Sequence, residues 1–245
     1  MESTVKIGTM ISGGGSNLQA IIDASLAGEL DVSISFTGSD TPGVKGLERA
    51  RSASIDTFVV DYADIIRRFK ANPDSVELPE DFDLDQIKSK QQLFDDAAPD
   101  DVVAPFLKSR AIAERMLLDE MAKFDMDLLI LAGFMRVLTP YFIDRINKQP
   151  GQYRIMNIHP ALLPAFPGTD GYGDTFRYGC RVGGCTVHFI DYGEDTGPII
   201  GQRAFPIEEG DTLEDVKRKG LEQEWQLYPE CIQKIASRFI TARQG

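Results

Sequence analysis

Short β-prone runs alternate with segments of helical periodicity along most of this chain, and the alternation limits the possible fold more than any other feature. Strands joined by helices lie parallel in a sheet, with right-handed crossovers between them. The run 126–131 is the most continuously apolar of the chain, as a central parallel strand should be. Three strand–helix pairs open the sequence: 5–11 with 17–27, 32–36 with 44–52, and 57–60 with 62–70. We therefore predict an α/β fold, a Rossmann-like open and mostly parallel sheet with helices on both faces.

Length and composition fit one domain, which we predict over residues 1–245. The chain has 245 residues, 42% of them hydrophobic, so it can bury a sizeable core. No run approaches the ~18 apolar residues that a membrane span needs, and residues 1–5 lack a secretory pattern. We therefore expect a cytoplasmic protein that makes no membrane contact.

The stretch 72–101 interrupts the periodic pattern. It contains Pro73, Pro79 and Pro99, together with ten acidic residues and two lysines, a net charge of −8. Such a stretch favours a solvated excursion or a mobile lobe, and we predict an acidic insertion there. An oligomer contact or a lid over a site is the alternative. Helical periodicity then resumes over 106–124.

Charge and cysteine content exclude some functions. The net charge of −12 argues against nonspecific nucleic-acid binding, which depends on basic surface. Three cysteines are too few for a disulfide framework. Cys180, Cys185 and His188 could be drawn as zinc ligands, but their spacing matches no common site and no fourth ligand is evident. We predict no metal, and a structural role for His188.

A glycine loop follows the first predicted strand. Glycines let the backbone approach a ligand, and free N–H groups at a helix start favour phosphate. Gly15, Ser16 and Asn17 are the candidate donors, although a plain tight turn is the alternative. The loop is a poor dinucleotide fingerprint, because Leu18 stands where a third glycine belongs.

A second candidate site lies at the end of the predicted strand 153–158. Asn157 and His159 point the same way by the period of two, at the edge where open α/β sheets place their chemistry. An amide can stabilise an oxyanion, an imidazole can move or stabilise a proton, and a carboxylate such as Asp195 can orient the imidazole. These groups suit acyl transfer onto an amine. The alternative is a buried strand end whose histidine satisfies a backbone carbonyl.

Four ordered motifs resemble the folate-dependent formyltransferases, and most closely the phosphoribosylglycinamide formyltransferases of purine synthesis. They are Ile11–Gln19 with its glycines, Leu131–Leu138, Asn157-x-His159-Pro160-x-Leu162-Leu163-Pro164, and Asp195-x-Gly197-Pro198. The resemblance implies transfer of a formyl group from 10-formyltetrahydrofolate, as co-substrate, to the amine of 5-phosphoribosylglycinamide, in de novo purine (IMP) biosynthesis. It implies small-molecule substrates, no nucleic acid, and a monomer or homodimer.

The resemblance also implies roles for individual residues. Asn157 and His159 would stabilise the oxyanion, with His159 kept protonated by Asp195. Asp195, through a water, would also help to take the proton that the amine loses. Glu224 would meet the glycinamide and Arg110 the folate's glutamate tail, unless Arg110 is an ordinary exposed helix arginine. Backbone groups would hold the pterin over two segments: Met135, Arg136, Val137 and Leu138, and Asp191, Tyr192, Gly193 and Glu194.

Three positions depart from the family pattern. Asp170 and Tyr172 stand where relatives commonly carry histidines, and Trp225 stands at another such position. These departures bear on the shape of the acceptor pocket. The competing functions are a formyltetrahydrofolate hydrolase, a transfer-RNA formyltransferase, and a non-catalytic phosphate- or nucleotide-binding module.

Overall fold

Strands and helices alternate through a computed structural model that describes residues 4–149 and 151–244. Residues 1–3, 150 and 245 of the predicted domain lie outside the described residues. The strands are Val5–Ile11 (β1), Val32–Ser39 (β2), Thr57–Val59 (β3), Leu128–Leu131 (β4), Ile155–His159 (β5), Val182–Phe189 (β6) and Ile199–Pro206 (β7). The α-helices are Ser16–Leu26 (α1), Lys45–Ser52 (α2), Tyr62–Ala71 (α3), Leu84–Lys90 (α4), Asp100–Met121 (α5), Pro140–Asn147 (α6), Gly171–Tyr178 (α7) and Leu213–Gln244 (α8).

The strands form a seven-stranded sheet in the order β3-β2-β1-β4-β5-β6-β7. The first five of these strands pair in parallel, whereas β6 and β7 join as antiparallel neighbours. The predicted mostly parallel α/β sheet is therefore confirmed. Strand order reverses direction at β1, and open sheets bind ligands beyond the carboxyl ends of their strands at such a point.

Helices cover both faces of the sheet, as predicted. One face packs against α1, α2 and α8, through residues such as Leu18, Leu47 and Ile232. The other packs against α3, α5 and α6, through residues such as Ile65 and Phe142. β4 is buried along its whole length between the two layers, which explains its continuous apolar sequence.

Residues 72–101 contain more regular structure than we predicted. Helix α4 begins after Asp83, whose carboxylate accepts a hydrogen bond from the Gln86 amide, and its Ile87 is buried against α5 and α6. Helix α5 already begins at Asp100, because Asp100 and Asp101 suit the positive end of a helix dipole. The expectation of an unpatterned excursion was wrong here, since a seven-residue helix is too short to carry a clear apolar period.

Helix α7 lies in a stretch for which no element was predicted, because its glycines conceal the helical pattern. At the start of α8, Thr212 and Asp215 cap the helix reciprocally, each accepting a hydrogen bond from the backbone amide of the other. Within residues 4–149 and 151–244, no helix combines the length and apolar character needed to cross a membrane.

Candidate active site

A cavity of about 390 Å³ opens beyond the carboxyl ends of β4 and β5. Its size falls in the usual range for small-molecule sites. Asn17 from α1 and Lys217, Leu221 and Glu224 from α8 contribute to the wall. Most of the remaining lining comes from residues 133–138, 157–160, 168–172 and 193–195. The glycine-loop end and the strand-end motif therefore meet in one cavity.

Asn157 and His159 both line this cavity from β5. Their alternation along the strand points both side chains the same way, as predicted. His159 is only 2% exposed, whereas Asn157 is partly exposed. A partly exposed amide beside a buried imidazole can donate to a ligand atom in the cavity.

His159 lies between two hydrogen-bond acceptors. Its Nδ1 is 3.1 Å from Asp195 Oδ2, and its Nε2 donates to the Phe166 carbonyl at 2.8 Å. Burial alone would lower the pKa of His159, but the hydrogen bond and charge of Asp195, together with the Phe166 carbonyl, outweigh it and raise that pKa. Two acceptors satisfy both N–H groups of an imidazolium, so the charged form is favoured.

Asp195 is held as an anion by several donors. Its Oδ2 accepts from the Gly168 amide at 2.9 Å, and its Oδ1 lies 3.5 Å from His188 Nε2. Burial would raise the pKa of Asp195, but the hydrogen bonds from His159, His188 and Gly168 hold it well below its ordinary value. These donors keep Asp195 ionised beside His159, and its role in accepting a proton stays a prediction.

His188 joins this group, although the sequence analysis assigned it only a structural role. It pairs with Asn157 across the antiparallel β5–β6 register, and Asn157 Nδ2 lies 3.4 Å from His188 Nε2. His188 Nδ1 donates to the Phe189 carbonyl at 2.9 Å, which fixes the ring. Asn157 and His188 are brought together by the β5–β6 register, which sets these two residues opposite each other.

Glu224 forms the other polar end of the cavity and is 4% exposed. It accepts hydrogen bonds from Asn17 Nδ2 at 2.7 Å and from the Tyr172 hydroxyl at 2.6 Å. Burial raises the pKa of Glu224, and the two donors offset only part of that rise. Asn17 Oδ1 is also buried and has no hydrogen-bond partner. From the sequence, Tyr172 was predicted only to depart from the family pattern.

The glycine loop lies beside the cavity and is only partly inside it. Gly15 precedes α1 with a φ of 70°, a left-handed conformation that suits glycine, and it packs against Gly46 of α2. Asn17 is a lining residue, whereas Gly15 and Ser16 are not among those described as lining the cavity. The N-terminus of α1 nevertheless adjoins the Glu224 end.

The two segments expected to hold a pterin contribute unequally to the cavity lining. Met135, Arg136, Val137 and Leu138 all line the cavity, as do Gly193 and Glu194, whereas Asp191 and Tyr192 are not among its lining residues. The side chain of Arg136 turns away to pair with the buried Asp40. This pairing occupies the Arg136 guanidinium, so the backbone of Arg136 is the part that we expect to meet a ligand.

Arg110 lies outside the cavity lining among the described residues. Its guanidinium carbon is 4.7 Å from the centre of the Phe106 ring, and its Nε is buried without a hydrogen-bond partner. Its predicted contact with a ligand carboxylate stays a prediction. Among the residues described, no group of three or more His, Cys, Asp or Glu side chains could hold a metal ion.

Comparison with known proteins shows which family this chain is similar to. A model of the formyl transferase family matches residues 5–232. Phosphoribosylglycinamide formyltransferase of Bacillus subtilis is 32% identical over 232 residues, which cover 94% of both chains. A trifunctional purine biosynthetic protein of Chironomus tentans is 33% identical over 96% of this chain, but this chain spans only 14% of that protein's length.

Solved structures agree with the sequence matches. The crystal structure of glycinamide ribonucleotide transformylase 1 from Symbiobacterium toebii superposes with a TM-score of 0.74 at 34% identity, covering 97% of this chain and 90% of that one. The phosphoribosylglycinamide formyltransferase structure from Bacillus halodurans gives 0.71 at 31% identity and 95% coverage of each chain. The chain therefore belongs to the formyl transferase family.

Proposed function

We propose that this protein transfers the formyl group of 10-formyltetrahydrofolate to the amine of 5-phosphoribosylglycinamide, a step of de novo purine biosynthesis. The observation that carries the proposal is the convergence of Asn157, His159 and Asp195 with Glu224 in one cavity. Similarity to enzymes named phosphoribosylglycinamide formyltransferase over nearly the whole chain supports this choice of substrates.

In this proposal the two ends of the cavity hold the two substrates. The phosphate of the acceptor lies on Gly15, Ser16 and Asn17 at the start of α1, where free N–H groups and the helix dipole favour an anion. The folate lies against the backbone of 135–138 and 191–194, with its glutamate tail toward Arg110. Holding both ligands in one cavity brings the amine to the formyl carbon before any bond changes.

The chemistry is an attack of the neutral amine on the formyl carbon. Asn157 and the charged His159 donate hydrogen bonds to the resulting oxyanion, for which His159 exchanges its Phe166 carbonyl for the substrate oxygen. The carbon–nitrogen bond to the folate then breaks, and the folate nitrogen gains a proton as the amine nitrogen loses one. Tetrahydrofolate and the N-formyl product result.

Glu224 is the better placed carboxylate for the proton of the amine. Its raised pKa makes it a stronger base than Asp195, whose pKa is depressed. Glu224 also accepts a hydrogen bond from Asn17 Nδ2, which sets the carboxylate beside the start of α1, where the acceptor phosphate is proposed to lie. Asp195 then acts by keeping His159 charged.

Activity assays with and without the acceptor test this function. We expect tetrahydrofolate to form from 10-formyltetrahydrofolate only when phosphoribosylglycinamide is present. Equal folate consumption without the amine would indicate a hydrolase, and binding of both ligands without turnover would indicate a non-catalytic module. Formylation of methionyl-tRNA in place of the small amine would indicate the transfer-RNA enzyme.

A further inference from the structure

We propose that the acidic insertion is a brace for the folate-side loop 191–195, with Lys90 and Gln92 as positioning residues. The inference rests on the proposed function, because it concerns the affinity for folate. This role gives a function to residues 72–101, a segment that the proposed reaction does not otherwise use. Tyr192 is connected to this segment through both its backbone and its side chain.

The backbone of Tyr192 is held by the insertion directly. The Gln92 amide donates to the Tyr192 carbonyl at 2.9 Å, across a sequence separation that only the tertiary fold closes. The Tyr192 side chain is held indirectly, since its hydroxyl donates to one carboxylate oxygen of Asp144, whose other oxygen lies 2.6 Å from Lys90 Nζ. Both the main chain and the ring of Tyr192 are thereby tied to the segment 90–92.

The segment that holds Tyr192 is itself anchored. Ile87 of α4 is buried against Val103, Leu107 and Tyr141 of α5 and α6. The Gln91 side chain accepts hydrogen bonds from the amides of Leu93 and Phe94, which fixes the turn after the helix. A brace needs a rigid base, and these contacts provide one.

The loop that is braced carries residues of the cavity wall. Gly193, Glu194 and Asp195 follow Tyr192 directly and line the cavity, and Asp195 pairs with His159. A loop already held in its binding geometry avoids the entropy cost of ordering it when the ligand arrives. We therefore expect the brace to act on folate affinity, while the acceptor end, formed by Asn17, Tyr172 and Glu224, is unaffected.

Removing a single N–H group tests the main-chain contact. Gln92→Pro deletes the donor, and Gln92→Ala is the matched control that keeps it. Gln91 has φ −65° and ψ 146°, a conformation that suits a residue before proline. We expect the Kd for tetrahydrofolate, measured by isothermal titration calorimetry, to rise about 3- to 10-fold in Gln92→Pro and to stay at the wild-type value in Gln92→Ala.

A second pair of variants tests the side-chain contact and does not depend on how proline is tolerated. Lys90→Met removes the ion pair that reaches Tyr192 through Asp144. Lys88→Met on the same helix removes an ion pair with Asp100 that does not reach the loop. We expect a rise in the Kd for tetrahydrofolate of about 2- to 5-fold for Lys90→Met and none for Lys88→Met.

The KM for the acceptor separates positioning from general damage. The brace predicts an unchanged KM for phosphoribosylglycinamide and a near wild-type kcat at saturating folate in both test variants. Equal folate affinity in Gln92→Pro and Gln92→Ala, or parallel losses for folate and acceptor, would overturn it. Failure of the wild-type protein to transfer formyl groups would instead overturn the proposed function, and the Kd comparison would still report on the brace.

Discussion

Asn157 lines the cavity with a partly exposed side-chain amide, which can donate to an oxyanion, and its Nδ2 lies 3.4 Å from His188 Nε2. We expect Asn157→Ala to lower kcat by about 100- to 1000-fold, the loss seen when one oxyanion donor is removed. Steady-state assays measure this loss, and calorimetry should give a nearly unchanged Kd for tetrahydrofolate. A variant that keeps most of its turnover would exclude the role.

The His159–Asp195 pair predicts a pH dependence with a defined sign. The pKa of His159 is raised above 6.5, so the stability gained from its charge is full below that ordinary value and is lost as pH rises through the folded value. In Asp195→Asn the attraction disappears while burial remains, so we expect the His159 pKa to fall and the alkaline limb of kcat to move to lower pH.

Nuclear magnetic resonance can follow this titration directly, because the chain contains only two histidines. His159→Asn assigns the signals by removing one of them. A His159 pKa that is the same in the wild-type protein and in Asp195→Asn would contradict the electrostatic role of Asp195.

Tyr172 supports Glu224 through one hydrogen bond, and we expect Tyr172→Phe to leave that buried carboxylate short of a donor. The change should lower the free energy of unfolding by about 1–3 kcal/mol and raise the KM for phosphoribosylglycinamide about 3- to 10-fold. Tyr178→Phe is the matched control, since Tyr178 lies on the same helix but is 79% exposed. Equal kinetics in the two variants would remove Tyr172 from the site.

The sequence indicated the positions of some residues of the candidate site but not of others. Asn157 and His159 could be predicted to lie together from the strand period, whereas Asp195 was predicted to join them only from the order of the motifs, and all three meet in one cavity. Tyr172 could not be assigned a role, since its partner Glu224 lies 52 positions away and only the packing of α7 on α8 joins them. The structural role expected for His188 stays a prediction, and its contact with Asn157 could not be predicted because it depends on the register between β5 and β6.

At the scale of elements, the approach of α2 to the glycine loop depends on the absence of a side chain at Gly46. An added Cβ there would lie 2.4 Å from Ile11 Cδ1 and 2.9 Å from the Gly13 carbonyl oxygen, which accepts the Gly46 amide. We expect Gly46→Ala to lower the free energy of unfolding by about 1–3 kcal/mol through overpacking. The loop should shift, so the KM for the phosphate-bearing acceptor should rise.

Calorimetry and kinetics on the same preparation test this prediction. The Kd for tetrahydrofolate should stay near its wild-type value, because Gly46 packs against Gly13 and Gly15 of the glycine loop, whereas the folate is proposed to lie on 135–138 and 191–194. Ser52→Ala, at the exposed end of α2, is the control and should change neither quantity. A normal acceptor KM in Gly46→Ala would show that the loop does not depend on this contact.

Element prediction succeeded where a segment was long and strongly periodic. The alternating order of strands and helices was predicted because buried parallel strands read as apolar runs. Helices α4 and α7 were missed because each is stabilised by a few tertiary contacts, such as Ile87 against α5, rather than by a clear pattern of its own.

The free energy of unfolding of the whole molecule should vary with pH because of one buried carboxyl group. Glu114 of α5 accepts hydrogen bonds from the Thr139 amide at 2.7 Å and the Thr139 hydroxyl at 2.6 Å, and burial raises its pKa to about 7. A raised folded pKa means that the folded state holds more protons, so this contribution is full below 4.5 and is lost as pH rises to about 7.

In Glu114→Gln the free energy of unfolding should therefore decline less between pH 4.5 and about 7, by up to about 3 kcal/mol. Urea denaturation at several pH values measures the slope. Glu120→Gln, on the same helix with its carboxylate paired to Lys123, serves as the control. An unaltered slope in Glu114→Gln would mean that other groups set the pH dependence.

Helix α8 has a consequence for how the molecule is made. It carries Glu224, it covers one face of the sheet, and its Tyr228 hydroxyl lies 3.1 and 3.0 Å from the carbonyl oxygens of Leu131 and Met156. A ribosome delivers this helix only after all seven strands. Until synthesis reaches α8, the apolar residues of the sheet that this helix covers therefore stay exposed in the nascent chain.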